Sequence, residues 1–464
     1  MTASLHALGI TAEKIREYDR RIPRYTSYPA APVWTEAFGA EEWQAHLRAT
    51  GENVRRLALY VHVPFCGKRC LFCGCNVIVT PKRETAEAYL DTLERELALL
   101  RQRYTGDAQV AQLHFGGGTP NYLELEQLAR VLGMLRGRFE FEREAEISIE
   151  ADPRIATPEI IRGYYEDCGF NRISFGVQDF NVKTQEAIGR GQTRDITFRN
   201  VQAAREAGFQ SVNIDLIYGL PLQTEATWRK TIDEILQLRP DRIALYNFAY
   251  LPERMRHQQR LDAAQLPAPE TKLSMFIESH DRLIANGWSF IGMDHYALRE
   301  DALTRAQREG SLRRNFMGYT TLRGMDMLAL GVSSISDFQG AYAQNTKKLS
   351  VQRKMIEAGL LPVERGLKLS DEDLFRRYVI EEVMCNGLLR FEADAGVPGR
   401  HPGDLVVAER ERLAPLEQDG LIELHPGRLV VTEKGRIFLR NIAVVFDAYL
   451  RPGMDKKPVF SRAV

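Results

Sequence analysis

The stretch Tyr60–Asn76, YVHVPFCGKRCLFCGCN, decides how the rest of the chain is read. An apolar, β-patterned run, Leu57–Phe65, passes directly into a loop carrying Cys66, Cys70, Cys73 and Cys75. Only two other cysteines, Cys168 and Cys385, occur in 464 residues, and their apolar neighbours mark them as buried thiols. Thiols gathered this tightly in a long chain hold a metal or a cluster, or carry out redox chemistry.

Outward from this loop, short apolar strands alternate with helical patterns. Glu84–Tyr104 reads as a helix with Tyr89, Leu90, Leu93, Leu97 and Leu100 on one face. Val110–Phe115 is a strand ending in Gly116-Gly117-Gly118-Thr119-Pro120, followed by a helix over about Glu124–Arg136. Glu146–Glu150 is a strand, and the helix after it can be capped by Thr157 with Pro158 in its first turn. Arg172–Phe180, Ser211–Tyr218 and Arg242–Tyr250 repeat the pattern, with one intervening helix entered through Thr224. Ser289–Tyr296 is a seventh candidate strand. Such a succession predicts parallel strands with right-handed crossovers, an α/β fold with a complete or partial (β/α) TIM-like barrel. Its chemistry belongs at the C-terminal strand ends. There lie the cysteines, GGGTP, Glu150 with Asp152, Gln178 with Asp179, and Asp215.

The expected organisation is an N-terminal segment over 1–50, a barrel over 51–300, a connector completing it over 301–365, and a C-terminal helical domain with a hairpin over 366–464. The first contains PRYTSYPAAP, extended and Pro/Tyr-rich. In the last, Ser370 with Asp373 can start a helix. Leu421–Leu424 and Leu429–Thr432 flank His-Pro-Gly as a hairpin, and a final helix is expected from about Glu433 to Leu450. That unit is winged-helix-like. Lys plus Arg equals Asp plus Glu at 62 each, so charge gives no reason to expect nucleic acid or an anionic membrane. Residues 1–20 do not read as a secretory signal, and no apolar run reaches the length of a membrane span. A soluble cytoplasmic protein is expected.

The cysteine spacing is C-x3-C-x2-C. Structural zinc sites bring together two separated ligand pairs, whereas here three thiols share one loop. Three thiolates suit three irons of a cubane and leave the fourth iron open; a zinc knot is the alternative on spacing alone.

C-x3-C-x2-C after a first barrel strand resembles the radical S-adenosylmethionine (SAM) superfamily, and Phe72 before the third cysteine matches its pattern. The resemblance implies a [4Fe-4S] cluster on Cys66, Cys70 and Cys73, with SAM on the open iron and a 5′-deoxyadenosyl radical as its product. YVHVPFC…CGCN, HFGGGTPNYL, ISIEADP, GVQDFN, NIDLIYGLP, IGMDHYAL, NFMGYTT, GVSSIS and PRYTSYP narrow this to the oxygen-independent coproporphyrinogen III oxidase family. The likeness runs from about Pro23 to FDAYL. Cys75 and PRYTSYP separate the chain from the similar heme-chaperone branch; Cys75 is not expected to ligate the cluster.

That family implies two SAM molecules. The first would meet Tyr60, Gly117, Glu150 and Ile335; the second Phe72, Gly118, Thr119, Gln178, Arg190, Asp215 and Ala249. The implied reaction is oxidative decarboxylation of two propionates of coproporphyrinogen III to vinyl groups, giving protoporphyrinogen IX. No side chain need act as general base, and Asp294-His295 reads as an ordinary hydrogen-bonded pair. Four substrate propionates call for cations; Arg24, Arg308, Arg313 and Arg314 are the candidates, with the N-terminal segment as a lid. A flavodoxin-type electron donor and a monomer are expected. The alternatives are a heme-binding or heme-delivery protein and a related radical SAM methyltransferase or heme-degrading enzyme.

Overall fold

The computed structural model describes residues 4, 5, 7–450, 460 and 461. Its main sheet has twelve strands. Six lead the chain: β1 (Arg56–Val63), β2 (Gln109–Gly117), β3 (Phe141–Ala151), β4 (Arg172–Gln178), β5 (Ser211–Tyr218) and β6 (Arg242–Asn247). The others are β7 (Trp288–Gly292), β8 (His295–Leu298), β9 (Asp326–Leu330), β10 (Ile335–Phe338), β11 (Ala341–Asn345) and β12 (Val363–Lys368).

In space they run β12-β11-β10-β9-β1-β2-β3-β4-β5-β6-β8-β7. β1 to β6 pair in parallel with their sequence neighbours, and β9 adds parallel to the outer side of β1. Every other pairing in this sheet is antiparallel. β12 and β7 end the sheet without meeting, so the barrel is partial.

The seventh candidate strand, Ser289–Tyr296, is not one strand. It folds as a hairpin of β7 and β8, turning at Met293, whose φ of +53° is left-handed. The apolar run is long enough for a strand, but Gly292-Met293-Asp294 breaks it. The hairpin stops the parallel array after β6.

Local signals explain the helices between strands. Thr157 Oγ1 accepts from the Ile160 N–H at 3.3 Å, with Pro158 in the first turn. Thr224 Oγ1 accepts from Thr227 N–H at 3.2 Å. Both satisfy N–H groups that the helix start leaves orphaned. Strand alternation then sorts the sheet's faces. In β5, Val212, Ile214 and Leu216 are fully buried against helices, while Asn213 and Asp215 point the other way. The inner face is consequently polar. Gln112, His114, Ser148, Glu150, Asn213 and Asp215 border a lumen cavity of about 170 Å³.

The N- and C-terminal segments meet. The Arg440 guanidinium donates to the carbonyls of Ile22 and Pro23, Asn441 donates to the Tyr18 carbonyl at 2.7 Å, and Tyr25 OH donates to Asp447 at 3.0 Å. The helix Asp371–Cys385 begins with the Ser370/Asp373 capping box. The hairpin Ile422–His425 with Arg428–Val431 forms as expected, and gains a third strand, Leu388–Arg390, that the sequence reading missed. The helix expected over 433–450 is instead three short turns: Gly435–Phe438, Leu439–Ala443 and Val444–Phe446. Burying residues on all sides of this stretch matters more there than one amphipathic face. Among the described residues, no helix is long and apolar enough to cross a membrane.

Candidate functional site

The cysteine loop is closed at its root by a short parallel pair, Phe65–Cys66 with Ile78–Val79. Its interior is pinned from other elements. Leu71 N–H donates to the Ile188 carbonyl at 3.0 Å, Arg69 to the Val77 carbonyl at 2.8 Å, and His257 Nε2 lies 2.7 Å from the Cys73 carbonyl. Buried Gln258 donates to the carbonyls of both Phe72 and Ala249, each at 3.2 Å. Its signal in the sequence is only a polar run, RHQQR, and it was not predicted.

A donor faces each of the three thiols named as ligands. Thr119 Oγ1 lies 3.1 Å from Cys66 Sγ. Arg190 and Arg154 approach Cys70 Sγ at 3.6 and 4.0 Å. The Cys75 N–H donates to Cys73 Sγ at 3.4 Å. Such donors suit sulfurs that carry negative charge, as cluster ligands do. Burial pushes the Cys66 thiol up to about 11, a cost that a ligated thiolate would escape. The Cys75 thiol and N–H, both aimed at Cys73, hold Cys73 below the usual thiol range and Cys75 above it. Cys66 and Cys70 are buried and Cys73 half-buried. Among the described residues, no three His, Cys, Asp or Glu side chains crowd together as a single-ion site requires. Three thiols on one loop, each faced by a donor, fit the ligand set of an iron–sulfur cluster.

The glycine run packs against this loop. Gly118 N–H donates to the Val63 carbonyl at 2.8 Å, and a Cβ there would sit 2.7 Å from the Pro64 carbonyl group. Gly117, at φ +117°, would place a Cβ 2.6 Å from the His62 ring. These two glycines are therefore demanded by the end of β1 and the turn that leads into the cysteine loop, before any ligand is considered.

Most of the remaining predicted residues gather nearby, whereas Ile335 packs against the cluster of Trp34, Tyr342 and Leu369. Gly117 N–H donates to Glu150 Oε2 at 3.2 Å, and His114 Nε2 lies 3.2 Å from Glu150 Oε1. Tyr60 stacks on His114 with centroids 5.9 Å apart, and its hydroxyl lies 3.1 Å from His62 Nδ1. Ser333, two residues before Ile335, reaches His62 Nε2 at 3.5 Å. Arg190 donates to the Gly176 carbonyl, and Gln178 (φ +72°) turns its amide back over Gly176. Asp215 pairs in register with Gly176 and accepts from Asn213 at 2.8 Å. Burial, reinforced by Glu150, raises the Asp215 carboxyl to about 7. His62 and His114 were quoted within motifs but given no role.

A larger cavity, about 780 Å³, opens beside Ala249. Its wall comes from the N-terminal segment (Arg16, Arg21, Arg24), the ends of β5 and β6, the helix Pro269–Ala285, Asp294 and the C-terminal turns with Arg436 and Arg440. Arg24 is in this wall, salt-bridged to Asp294. Asp294 therefore pairs with Arg24 and not with His295, correcting the sequence expectation. His295 is half-buried, and its partial burial pushes its pKa down to about 4. Arg314 donates to the Arg24 carbonyl. Arg313 is bound to Glu382 at 2.8 Å, and Arg308 is exposed and donates to the Arg299 carbonyl; neither lines the cavity.

The radical SAM superfamily profile matches residues 60–235. The chain is 41% identical to an oxygen-independent coproporphyrinogen III oxidase of Synechocystis sp. across 100% of both chains. It is 43% identical to the Escherichia coli enzyme of that name over 97% of each. The solved structure of coproporphyrinogen III oxidase from E. coli, described as a radical SAM enzyme, superposes with a TM-score of 0.87 at 41% identity, covering 93% of this chain and 100% of that one. On this evidence the chain belongs to the oxygen-independent coproporphyrinogen III oxidase family of the radical SAM superfamily.

Proposed function

We propose that this protein converts two propionate side chains of coproporphyrinogen III to vinyl groups without oxygen, giving protoporphyrinogen IX in heme biosynthesis. The observation that carries this reading is the 780 Å³ cavity lined by Ala249, which Gln258 ties to Phe72 of the thiol loop; its volume is within the size range of small-molecule sites. Among the described residues, six cationic side chains line it: Arg16, Arg21, Arg24, Lys272, Arg436 and Arg440. Asp19, Glu270 and Asp294 are its carboxylates, leaving an excess of positive charge for a tetracarboxylate. Burial pushes Arg440 down to about 10, with Arg24 adding to the effect, so an anion entering here relieves crowded charge.

A [4Fe-4S] cluster and SAM, when bound, supply a 5′-deoxyadenosyl radical able to take a hydrogen atom from the propionate β-carbon. The side chains position and exclude. Cys66, Cys70 and Cys73 would hold the cluster. Tyr60, Gly117, Glu150 and Ile335 form one SAM subsite. Phe72, Gly118, Thr119, Gln178, Arg190, Asp215 and Ala249 form a second. Gln258, bonded to Phe72 and Ala249, keeps the thiol loop against the cavity wall. The N-terminal segment, fixed by Arg440, roofs the cavity and shields the reacting atoms from water. Arg24 is the leading propionate anchor. The electron donor is a flavodoxin-type one-electron carrier, and the protein works as a monomer.

Anaerobic reconstitution with SAM, reductant and coproporphyrinogen III tests this. Vinyl product with matching 5′-deoxyadenosine is expected. 5′-Deoxyadenosine without protoporphyrinogen would overturn the substrate and keep the radical chemistry. Heme binding with no vinyl product would point to a delivery protein.

A further inference from the structure

Arg154 lies just past the strand-end acid that the sequence singled out, and no role has been given to it. Its guanidinium is fixed on every side. Nε donates to both Asp152 oxygens at 3.0 and 3.1 Å, Nη2 meets Asp152 Oδ2 at 2.5 Å, and Nη1 donates to the Arg190 carbonyl at 2.7 Å. Its own backbone N–H also donates to Asp152 at 3.0 Å. What remains of Nη2 faces Cys70 Sγ at 4.0 Å, beside the Arg190 Nη1 contact at 3.6 Å. Asp152 reaches Arg190 Nη2 at 3.4 Å as well, so one carboxylate steers two guanidinium groups at one sulfur. The side chains of Asp152, Arg154 and Arg190 are 10%, 20% and 6% exposed, which leaves water little part in screening them. Burial alone would lift the Asp152 carboxyl, but Arg154 and Arg190 hold it below its ordinary value, so it stays charged.

Two cations and one anion sum to a positive charge at Cys70. Among the described residues, the hydrogen-bond contacts at the other two thiols are neutral, a hydroxyl at Cys66 and a backbone N–H at Cys73, while Arg69 and Arg190 act on Cys73 only from farther off. Arginine keeps its charge and presents a rigid fork, so this arrangement persists whatever the state of the sulfur. N–H···S contacts and positive charge favour the more negative state of a cluster and raise its reduction potential.

We propose that Arg154, locked by Asp152 and acting with Arg190 on Cys70, is a positioning residue that raises the reduction potential of the cluster bound at this loop. The step affected is uptake of one electron by the oxidised cluster from a low-potential one-electron carrier, with no bond or proton exchanged. The inference rests on Cys66, Cys70 and Cys73 being the cluster ligands.

The test is an anaerobic, mediator-buffered dithionite titration of the reconstituted full-length protein, reading the reduced cluster by EPR. In Arg154→Met the midpoint moves to more negative potential, lowering the reduced-to-oxidised ratio about tenfold, or 59 mV for one electron. Arg154→Lys keeps the charge and loses the fork, and moves the ratio roughly threefold the same way. Lys68→Met, on an exposed side chain of the same loop, leaves the midpoint in place. An unchanged midpoint in Arg154→Met, or an equal shift in Lys68→Met, overturns the proposal. If Arg154→Met holds no cluster, the lysine variant decides, and no shift there overturns it. Iron and acid-labile sulfide missing from the unsubstituted protein would strike the ligand assignment instead, independently of Arg154.

Discussion

The thiol rim and the large cavity are neighbours built in opposite ways. The rim comes from short loops at successive strand ends, and its fit is steric. Gly117 and Gly118 have no room for a side chain, and Gln258 ties Phe72 to Ala249. The cavity is assembled from residues 15–24, 218–219, 247–276, 293–294, 436–440 and 460–461, and it sets a surplus of cationic side chains among apolar walls such as Phe248 and Phe276. A rim substitution should therefore abolish chemistry, and a cavity substitution should weaken recognition while leaving the rim loaded.

The largest effect is expected at the rim. Cys70→Ser should remove cluster iron and all 5′-deoxyadenosine formation, measured by iron analysis and product chromatography. Retained turnover would break the contrast at once. Next, Gly118→Val should push the glycine run off Pro64, at the root of the cysteine loop. Thermal unfolding should report about 1–3 kcal/mol of destabilisation, with the cluster poorly retained. On the cavity side, Arg24→Met should raise KM for the porphyrinogen by about ten- to a hundredfold, the worth of one charged hydrogen bond. Cluster content and SAM cleavage should not change; loss of cluster in this variant would merge the two regions.

A smaller effect follows from Asp215. Its carboxyl is raised to about 7 by burial and by Glu150. A raised acid costs folding stability as pH climbs from about 4 to about 7, because the folded state keeps the proton longer than the unfolded chain. Binding of cationic SAM runs the other way with pH, because it prefers ionised Asp215 and gains as the carboxyl loses its proton. Its affinity should rise roughly tenfold from pH 6 to pH 8 by calorimetry, and Asp215→Asn should flatten that slope. The smallest effect lies outside both regions. Thr157→Ala removes a helix cap, and should cost about 1 kcal/mol of stability with turnover intact.

The same contrast governs what the sequence disclosed. β1 to β6 and the rim were readable because each carries its own signal: an apolar alternation, a thiol spacing, a glycine run, a capping threonine. Arg154 and Gln258 lay hidden because their partners, Cys70 and Phe72, are remote in the chain. The β7–β8 hairpin was missed because one left-handed residue, Met293, divides an otherwise continuous apolar run. Asp294 was assigned to its neighbour His295, although its partner is Arg24, 270 residues away. Cavity walls built from chain ends leave no local periodicity to read.

The account's central claim is that rim and cavity act on one bound porphyrinogen. Coproporphyrinogen III deuterated at the propionate β-carbons tests it most directly, in anaerobic turnover followed by mass spectrometry of the nucleoside. Deuterium should appear in 5′-deoxyadenosine in step with vinyl product. Unlabelled 5′-deoxyadenosine, formed while labelled substrate is bound, would contradict it.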